Sequence, residues 1–224
     1  MKSLTITATL LSTITFIAQA EINVVASVKP VHSLVSAVME GIGVPDLIVK
    51  GAASPHTYAL KPSQAEQIEK ADLVFWMGHS LETFMEKPLE ALATRAMVVE
   101  LMDSEGLKKL KMREGGGFDE HEHDEHDEHD EHDEHSKESH DEHGHGEFDV
   151  HVWLDPENAK VMANEIMEAL KKVDPGNANK YETNTKKIVE KLNRLVAEIS
   201  AELSPAKGKG FIVFHDAYQY FEER

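Results

Sequence analysis

Residues 22–49 read INVVASVKPVHSLVSAVMEGIGVPDLIV, and the switch of pattern inside this stretch decides the fold. Residues 22–27 form a short β-rich run. Pro30 then opens an amphipathic helix that reaches about Glu40 and is stopped by Gly41 and Gly43, after which residues 47–49 make a second β-rich run. Strands that alternate with helices in this way are the mark of an α/β architecture with a parallel sheet. The pattern continues downstream. A loop of small residues fills 51–55, and Ser63-Gln64-Ala65-Glu66 reads as a capping box opening a helix to Lys70. Residues 72–77 (DLVFWM) have strand length and apolarity, 81–93 read as a helix and 97–101 as another strand. The expected order is β-α-β-α-β-α-β within one lobe.

Composition narrows what such a lobe can do. The chain has 224 residues and a formal net charge of −18. Fifteen of its 41 acidic residues and one base, Lys137, fall in 119–147, so everything else carries only −4. No Lys/Arg cluster exists to displace counterions from phosphates, which excludes a basic nucleic-acid binder. With 41% hydrophobic residues the chain can build a real core, and its length allows one large or two modest domains. There is no cysteine, so any metal must be held by imidazole and oxygen. The first twenty residues, MKSLTITATLLSTITFIAQA, combine Lys2, an apolar stretch from Leu4 to Ile17 and an Ala18-Gln19-Ala20 cleavage motif. The apolar run is short and diluted by five threonines, below the roughly 20 residues of a spanning helix. The expectation is an export signal cleaved after Ala20. The mature protein then begins at Glu21, lies outside the cytoplasm and does not span the membrane.

The pattern breaks at 115–147. Gly115-Gly116-Gly117 opens a tract of Asp, Glu and His with four consecutive His-Asp-Glu triplets from His123 to Glu134. With Phe118 its only large apolar residue, it has almost nothing to bury and is expected to be a disordered surface insertion. Residues 149–154 (DVHVWL) then alternate like a strand, and Asp155-Pro156 can cap a helix to about Val173. A second helix from about Asn177 to Leu203 carries Ile188, Leu192, Leu195, Ile199 and Leu203 along one stripe, over about 40 Å. Ser204-Pro205 ends it, residues 210–214 read as a fresh strand, and a further helix begins before Arg224. One strand and part of a helix cannot form a lobe, so the chain is expected to be incomplete at this end.

The fourteen histidines fall into two sets. Nine lie in the acidic insertion: His121, His123, His126, His129, His132, His135, His140, His143 and His145. They recur mostly every third residue. An acidic solubilising tract accounts for the Asp and Glu but not for nine imidazoles, which together with carboxylates suit zinc, copper or nickel, so the insertion is read as a set of weak metal sites. Five others lie in the folded part. A lone histidine is usually a surface or hydrogen-bonded residue, and His32 is read as one. His79 follows the third strand with no partner in sequence. His56, His151 and His215 each sit at a strand edge or in the loop after one, where open α/β sheets bind ligands. Three imidazoles from distant segments could converge there as nitrogen ligands. Spacing alone leaves this open, since no pair falls within one local motif.

The segments GAASPHTYALKPSQ around His56, FDVHVWLDPENA around His151 and KGKGFIVFHDAYQYF around His215 resemble the zinc-binding, ZnuA-type members of the metal-binding lipoprotein and adhesin family, the solute-binding components of ABC importers. The resemblance covers essentially all of 21–224, including motif order, the acidic insertion between the first and second motifs, and the long helix. It implies two α/β lobes joined by a rigid helix, with metal held in the cleft between them. The N-terminal lobe would occupy 21–175, the linker helix 176–204, and the start of a largely missing second lobe 205–224. It also implies that His56, His151 and His215 are the three histidine ligands. Manganese-binding relatives commonly carry glutamate where this chain has His215, and nitrogen in place of a hard oxygen favours zinc. The fourth ligand is unassigned. Trp76, Trp153, Phe214, Tyr218 and Tyr220 are read as packing, and Tyr58 as a supporting group beside the ligands. With so little of a second lobe, His215 is expected to be loosely held and the apolar residues 211–214 exposed.

The function this implies is periplasmic capture of zinc, the transported ligand, and its delivery by a monomeric carrier to an ABC permease of the inner membrane, without catalysis. The His-rich insertion would serve as a weak auxiliary collector. A zinc hydrolase is the rival from another class, since three histidines with an open position is also the pattern of catalytic zinc. No H-E-x-x-H helix supplies its general base, and Asp155 is already explained as a helix cap. An extracellular metal buffer or adhesin using the same site is a third reading. The plain export signal and lack of an anchoring cysteine favour a diffusing carrier instead.

Overall fold

The computed structural model describes residues 22–113, 147–213 and 215–224. The expected signal segment, nearly all of the 115–147 insertion with its nine histidines, and Phe214 lie outside the described residues. Strand β1 (Val24–Ala26) leads through α1 (Lys29–Val38) to β2 (Asp46–Leu47). Then come α2 (Pro62–Lys70), β3 (Leu73–Trp76), α3 (Thr83–Leu92) and β4 (Met97–Glu100). The four strands form one parallel sheet in the order β2-β1-β3-β4, with Val25 opposite both Asp46 and Val74, and Val74 opposite Val98. The chain steps one way from β1 to β2 and the other way from β2 through β3 to β4. Right-handed crossovers therefore place α1 on one face and α2 and α3 on the other, and leave a switch point between β1 and β3.

Burial follows strand position. Every residue of β1 and β3 is buried, as expected for central strands covered on both faces, whereas Met97 and Val98 on the edge strand β4 are exposed. In α1 the residues Val31, Val35 and Val38 recur at helical spacing and face the core. Helix α4 (Pro156–Val173) lies against α1 and against α5 (Ala178–Leu203), burying Met162, Ala163, Ile166 and Leu170. Asn184 of α5 donates to Val38 O (2.9 Å) and Glu40 O (3.0 Å), so it satisfies carbonyls at the end of α1 and fixes the two helices together. Only the first half of α5 is seated in this way. Leu195 and Leu203, farther along its apolar stripe, are exposed. Its 26 residues span about 39 Å, close to the expected length.

The strand and helix order from 22 to 101 matches the sequence reading, and three local expectations do not. Helix α2 starts one residue earlier than the proposed capping box: Pro62 leads it, and Gln64, not Glu66, accepts from the Lys61 amide (2.9 Å). Glu66 pairs with Lys70 instead. Residues 149–154 are not a strand. Only Phe148 bridges, antiparallel to Lys111, after which the Asp149 carboxylate accepts from the His151 amide (2.9 Å) and curls the chain into a short 3-10 turn, Val152–Leu154. A side-chain turn bond of this kind competes with the alternating pattern. Residues 210–213 are likewise not a strand, because among the described residues no neighbouring strand pairs with their backbone. The short helix α6 (Gln219–Glu223) follows as expected.

Candidate metal centre

His56 sits in a 3-10 turn, Pro55–Thr57, in the loop after β2 and is exposed. The turn is set by Ser54, whose hydroxyl accepts from the His56 amide (3.3 Å). Two residues on, the Tyr58 hydroxyl donates to Ile48 O (3.5 Å) and accepts from Gln64 Nε2 (2.8 Å), while its ring packs on Phe84. Tyr58 therefore fastens the His56 loop back to the end of β2. His151 is buried just before α4. Its Nδ1 lies 2.7 Å from Asp149 Oδ1, and the Trp153 ring stands edge-on to the imidazole at 5.3 Å. An ionised carboxylate can only accept, so the neutral imidazole carries its proton on Nδ1 and presents the Nε2 lone pair.

His215, half-buried, comes from beyond the far end of α5, yet its Nε2 lies 3.3 Å from Nε2 of His151. The ring centroids of His56, His151 and His215 are 5.8, 5.8 and 5.1 Å apart, and one ligand atom from each lies within 4.8 Å of the others. Two nitrogens bound tetrahedrally to zinc at about 2.0–2.1 Å would stand about 3.3 Å apart, so the His151–His215 pair has the spacing such an ion requires. Among the described residues these are the His, Asp and Glu groups that could share one ion.

The expectation that His215 hangs loosely does not hold. Phe211 and Ile212 are exposed, as expected, but Tyr220 is 1% exposed: its hydroxyl donates to Asp149 O (2.8 Å) and accepts from the Leu110 amide (2.9 Å). Arg224 grips the Asp155 carboxylate with two hydrogen bonds (2.9 and 2.5 Å), Arg113 pairs with Glu222, and Lys108 with Glu223. Residues 215–224 are thus seated against 108–113 and 149–155 by these polar contacts and by the Tyr220 ring, which joins the hydrophobic core. Burial, outweighing the hydrogen bond from Leu110, pushes the Tyr220 phenol above its ordinary range.

Among the described residues, the two other histidines stay apart from the three. His32 bonds to Pro45 O (3.0 Å) and Ser36 (3.4 Å), a structural role as read from sequence. His79 lies between Glu86 (3.5 Å) and Glu100 (3.6 Å) against Trp76. Beside it, past the end of β3, Gly78 takes φ 135°, and a Cβ there would meet Glu100 Oε1 at 2.0 Å. Two residues escaped the sequence reading. Asp149, which orients His151, was legible as a carboxylate two positions before a histidine. Glu82 is fully buried, accepting from the Met77 (2.7 Å) and Gly78 (3.1 Å) amides. Its pKa is pushed up to about 7 by burial, against the lowering effect of Ser27 and the two amides and with a further push from Glu100. A lone Glu in a helical stretch gives no sign of this.

A parallel α/β sheet, a long helix leaving it and three convergent imidazoles define the class: a metal-binding solute-binding protein. The family model described as zinc-uptake complex component A, periplasmic (ZnuA), matches residues 24–224, and the chain belongs to that family. It is 56% identical over 213 residues to the high-affinity zinc uptake system protein ZnuA of Brucella abortus, covering 90% of this chain and 64% of the relative. It is 34% identical to the protein of the same name from Yersinia pestis, covering 89% of this chain and 61% of the relative. The chain thus spans under two thirds of these relatives' length. Among solved structures, a crystal structure of ZnuA aligns with TM-score 0.71 at 23% identity, over 91% of this chain and 67% of that one. Zn(II)-bound AdcA from Streptococcus pneumoniae aligns with TM-score 0.68 at 24% identity, over 90% of this chain and 37% of that one. At these identities the likeness speaks for the fold. The family is one of uptake components, not enzymes, which sets aside the hydrolase alternative.

Proposed function

We propose that the protein captures zinc in the periplasm through His56, His151 and His215 and delivers it to an ABC permease of the inner membrane. The observation that carries this reading is the meeting of three imidazoles from three distant segments, two of them at the nitrogen spacing of a tetrahedral zinc site. The relatives' names and the family description support the zinc-uptake role. Residues 21–175 serve as the first lobe, 176–204 as the linker helix and 205–224 as the start of the second lobe. Cleavage after Ala20 releases the carrier, which acts as a monomer. The nine insertion histidines, His121 to His145, bind further zinc weakly and pass it on.

The test is a chelator-competition titration with zinc and manganese on the full-length mature protein and its His56→Ala, His151→Ala and His215→Ala variants. The expected result is one tight zinc event, preferred over manganese and weakened by orders of magnitude in each variant. Wild-type affinity in all three variants overturns the assignment. A form lacking 118–147 should keep the tight event and lose only the weak ones.

A further inference from the structure

The seating of residues 215–224 and the orientation of His151 share one residue. Asp149 is 4% exposed, and each of its polar groups is engaged. Its amide donates to Leu110 O (2.8 Å), its carbonyl accepts from the Tyr220 hydroxyl (2.8 Å), and its carboxylate takes both the backbone and ring N–H of His151. Tyr220 in turn stands five residues after His215 and is held at its hydroxyl from two sides. The second ligand is therefore aimed by the side chain of the residue whose backbone anchors the segment carrying the third.

We propose that Asp149 and Tyr220 are a pair of positioning residues for the zinc site: Asp149 fixes the ring of His151, and Tyr220 brings His215 to it. Neither touches the ion. The proposal rests on the zinc reading above and deepens it. In a chain whose last donor arrives from beyond a 26-residue helix, an exposed loop would leave that donor to diffuse. The bidentate use of one phenol removes that freedom before metal arrives, so less ordering is left for the binding step.

Three measurements on the full-length protein test this. Nitrogen-15 NMR of the metal-free protein should show His151 protonated at Nδ1 in wild type and in Asp149→Asn, whose amide oxygen still accepts. The preference should be lost in Asp149→Ala. In zinc competition, Asp149→Ala should bind about 10–100-fold more weakly, with Asp149→Asn restoring much of the loss. Tyr220→Phe should weaken zinc about tenfold when His215 is present and by less than about twofold in the His215→Ala background, because its action runs through that ligand. An unchanged tautomer in Asp149→Ala, or the same Tyr220→Phe factor in both backgrounds, overturns the proposal. If Asp149→Ala does not fold, Asp149→Asn and the Tyr220 cycle still decide. A wild-type protein that fails to bind zinc refutes the proposed function, and the metal-free tautomer experiment still judges Asp149.

Discussion

The sheet-bearing part, residues 22–113 with α4, and the last stretch, 204–224, hold their candidate ligands by opposite means. In the first, Leu73, Val74 and Phe75 are fully buried on a central strand, and loops leaving the frame carry His56 and His151. In the second, Phe211 and Ile212 face solvent, and apart from the buried Tyr220 and Ala217 the position depends on the Tyr220 hydroxyl and a few ion pairs. A metal centre built from both has two ligands on loops that leave a hydrophobically packed frame and a third on a segment with little such packing of its own. That difference implies different sensitivities, and mutations can expose them.

The largest effect is expected where packing dominates. Phe75→Ala should cost about 3–5 kcal/mol of unfolding free energy, because a cavity opens between the central strand and its covering helices. Ile212→Ala should stay within about 0.5 kcal/mol, as for a surface change. Urea unfolding midpoints measure both. Comparable losses at the two positions would erase the distinction between the regions.

The packed part also contains one group that works against its own burial. Glu82 titrates near 7 when folded and from an ordinary value of 4.5 when unfolded. Between those values the folded state keeps a proton that the unfolded state has released, so this group's contribution to stability falls as pH rises from about 4.5 and levels off above 7. Glu82→Gln retains an oxygen acceptor for the Met77 and Gly78 amides and cannot ionise. Relative to the variant, wild type should lose on the order of 2–3 kcal/mol across that window. Thermal or urea unfolding of both proteins from pH 4.5 to 8 provides the comparison, and a constant difference would show that Glu82 does not titrate there.

The same contrast explains which features were legible in the sequence. Apolar periodicity reports burial, so the four strands from 22 to 101 and helices α1 to α5 could be read directly, as could the three-histidine motifs once a resemblance supplied their meaning. Polar seating leaves no periodic trace. Residues 149–154 alternate like a strand, yet a single Asp149 carboxylate bends them into a turn. Tyr220 packs into the core as read, but the bonds of its hydroxyl to residues 110 and 71 positions earlier in the chain left no trace in the sequence. Contacts at such separations depend on the finished fold.

At the polar end the Tyr220 hydroxyl should matter more than any ion pair. Tyr220→Phe leaves the Leu110 amide and the Asp149 carbonyl without their shared partner in a buried place, which should cost about 1–3 kcal/mol. Unfolding midpoints give the value. A cost below that of the charge variant described next would reverse the ranking.

The smallest effect is expected at Arg224. Its guanidinium makes two bonds to Asp155, an arrangement with good geometry, but the arginine side chain is 38% exposed while the carboxylate is 3% exposed. Removing the arginine does not strand that carboxylate, because Asp155 Oδ1 also accepts from the Glu157 amide (2.9 Å) as the N-cap of α4. A negative group at a helix N-terminus is further favoured by the aligned peptide dipoles. Arg224→Gln should therefore cost about 1 kcal/mol or less. The neighbouring Lys108–Glu223 and Arg113–Glu222 pairs are more exposed still, and at 1 M salt, where screening acts over about 3 Å, all of these attractions should fade. The Tyr220 hydrogen bonds are neutral and buried, so they should persist. Zinc affinity in wild type should accordingly change by less than about threefold between 0.1 and 1 M salt, no more than about one hydrogen bond's net worth. In Tyr220→Phe, where charges alone would hold the segment, the same salt step should weaken binding several-fold more. If wild type and variant respond to salt alike, the segment is held by its charges, and the two regions differ less in their chemistry than their burial implies.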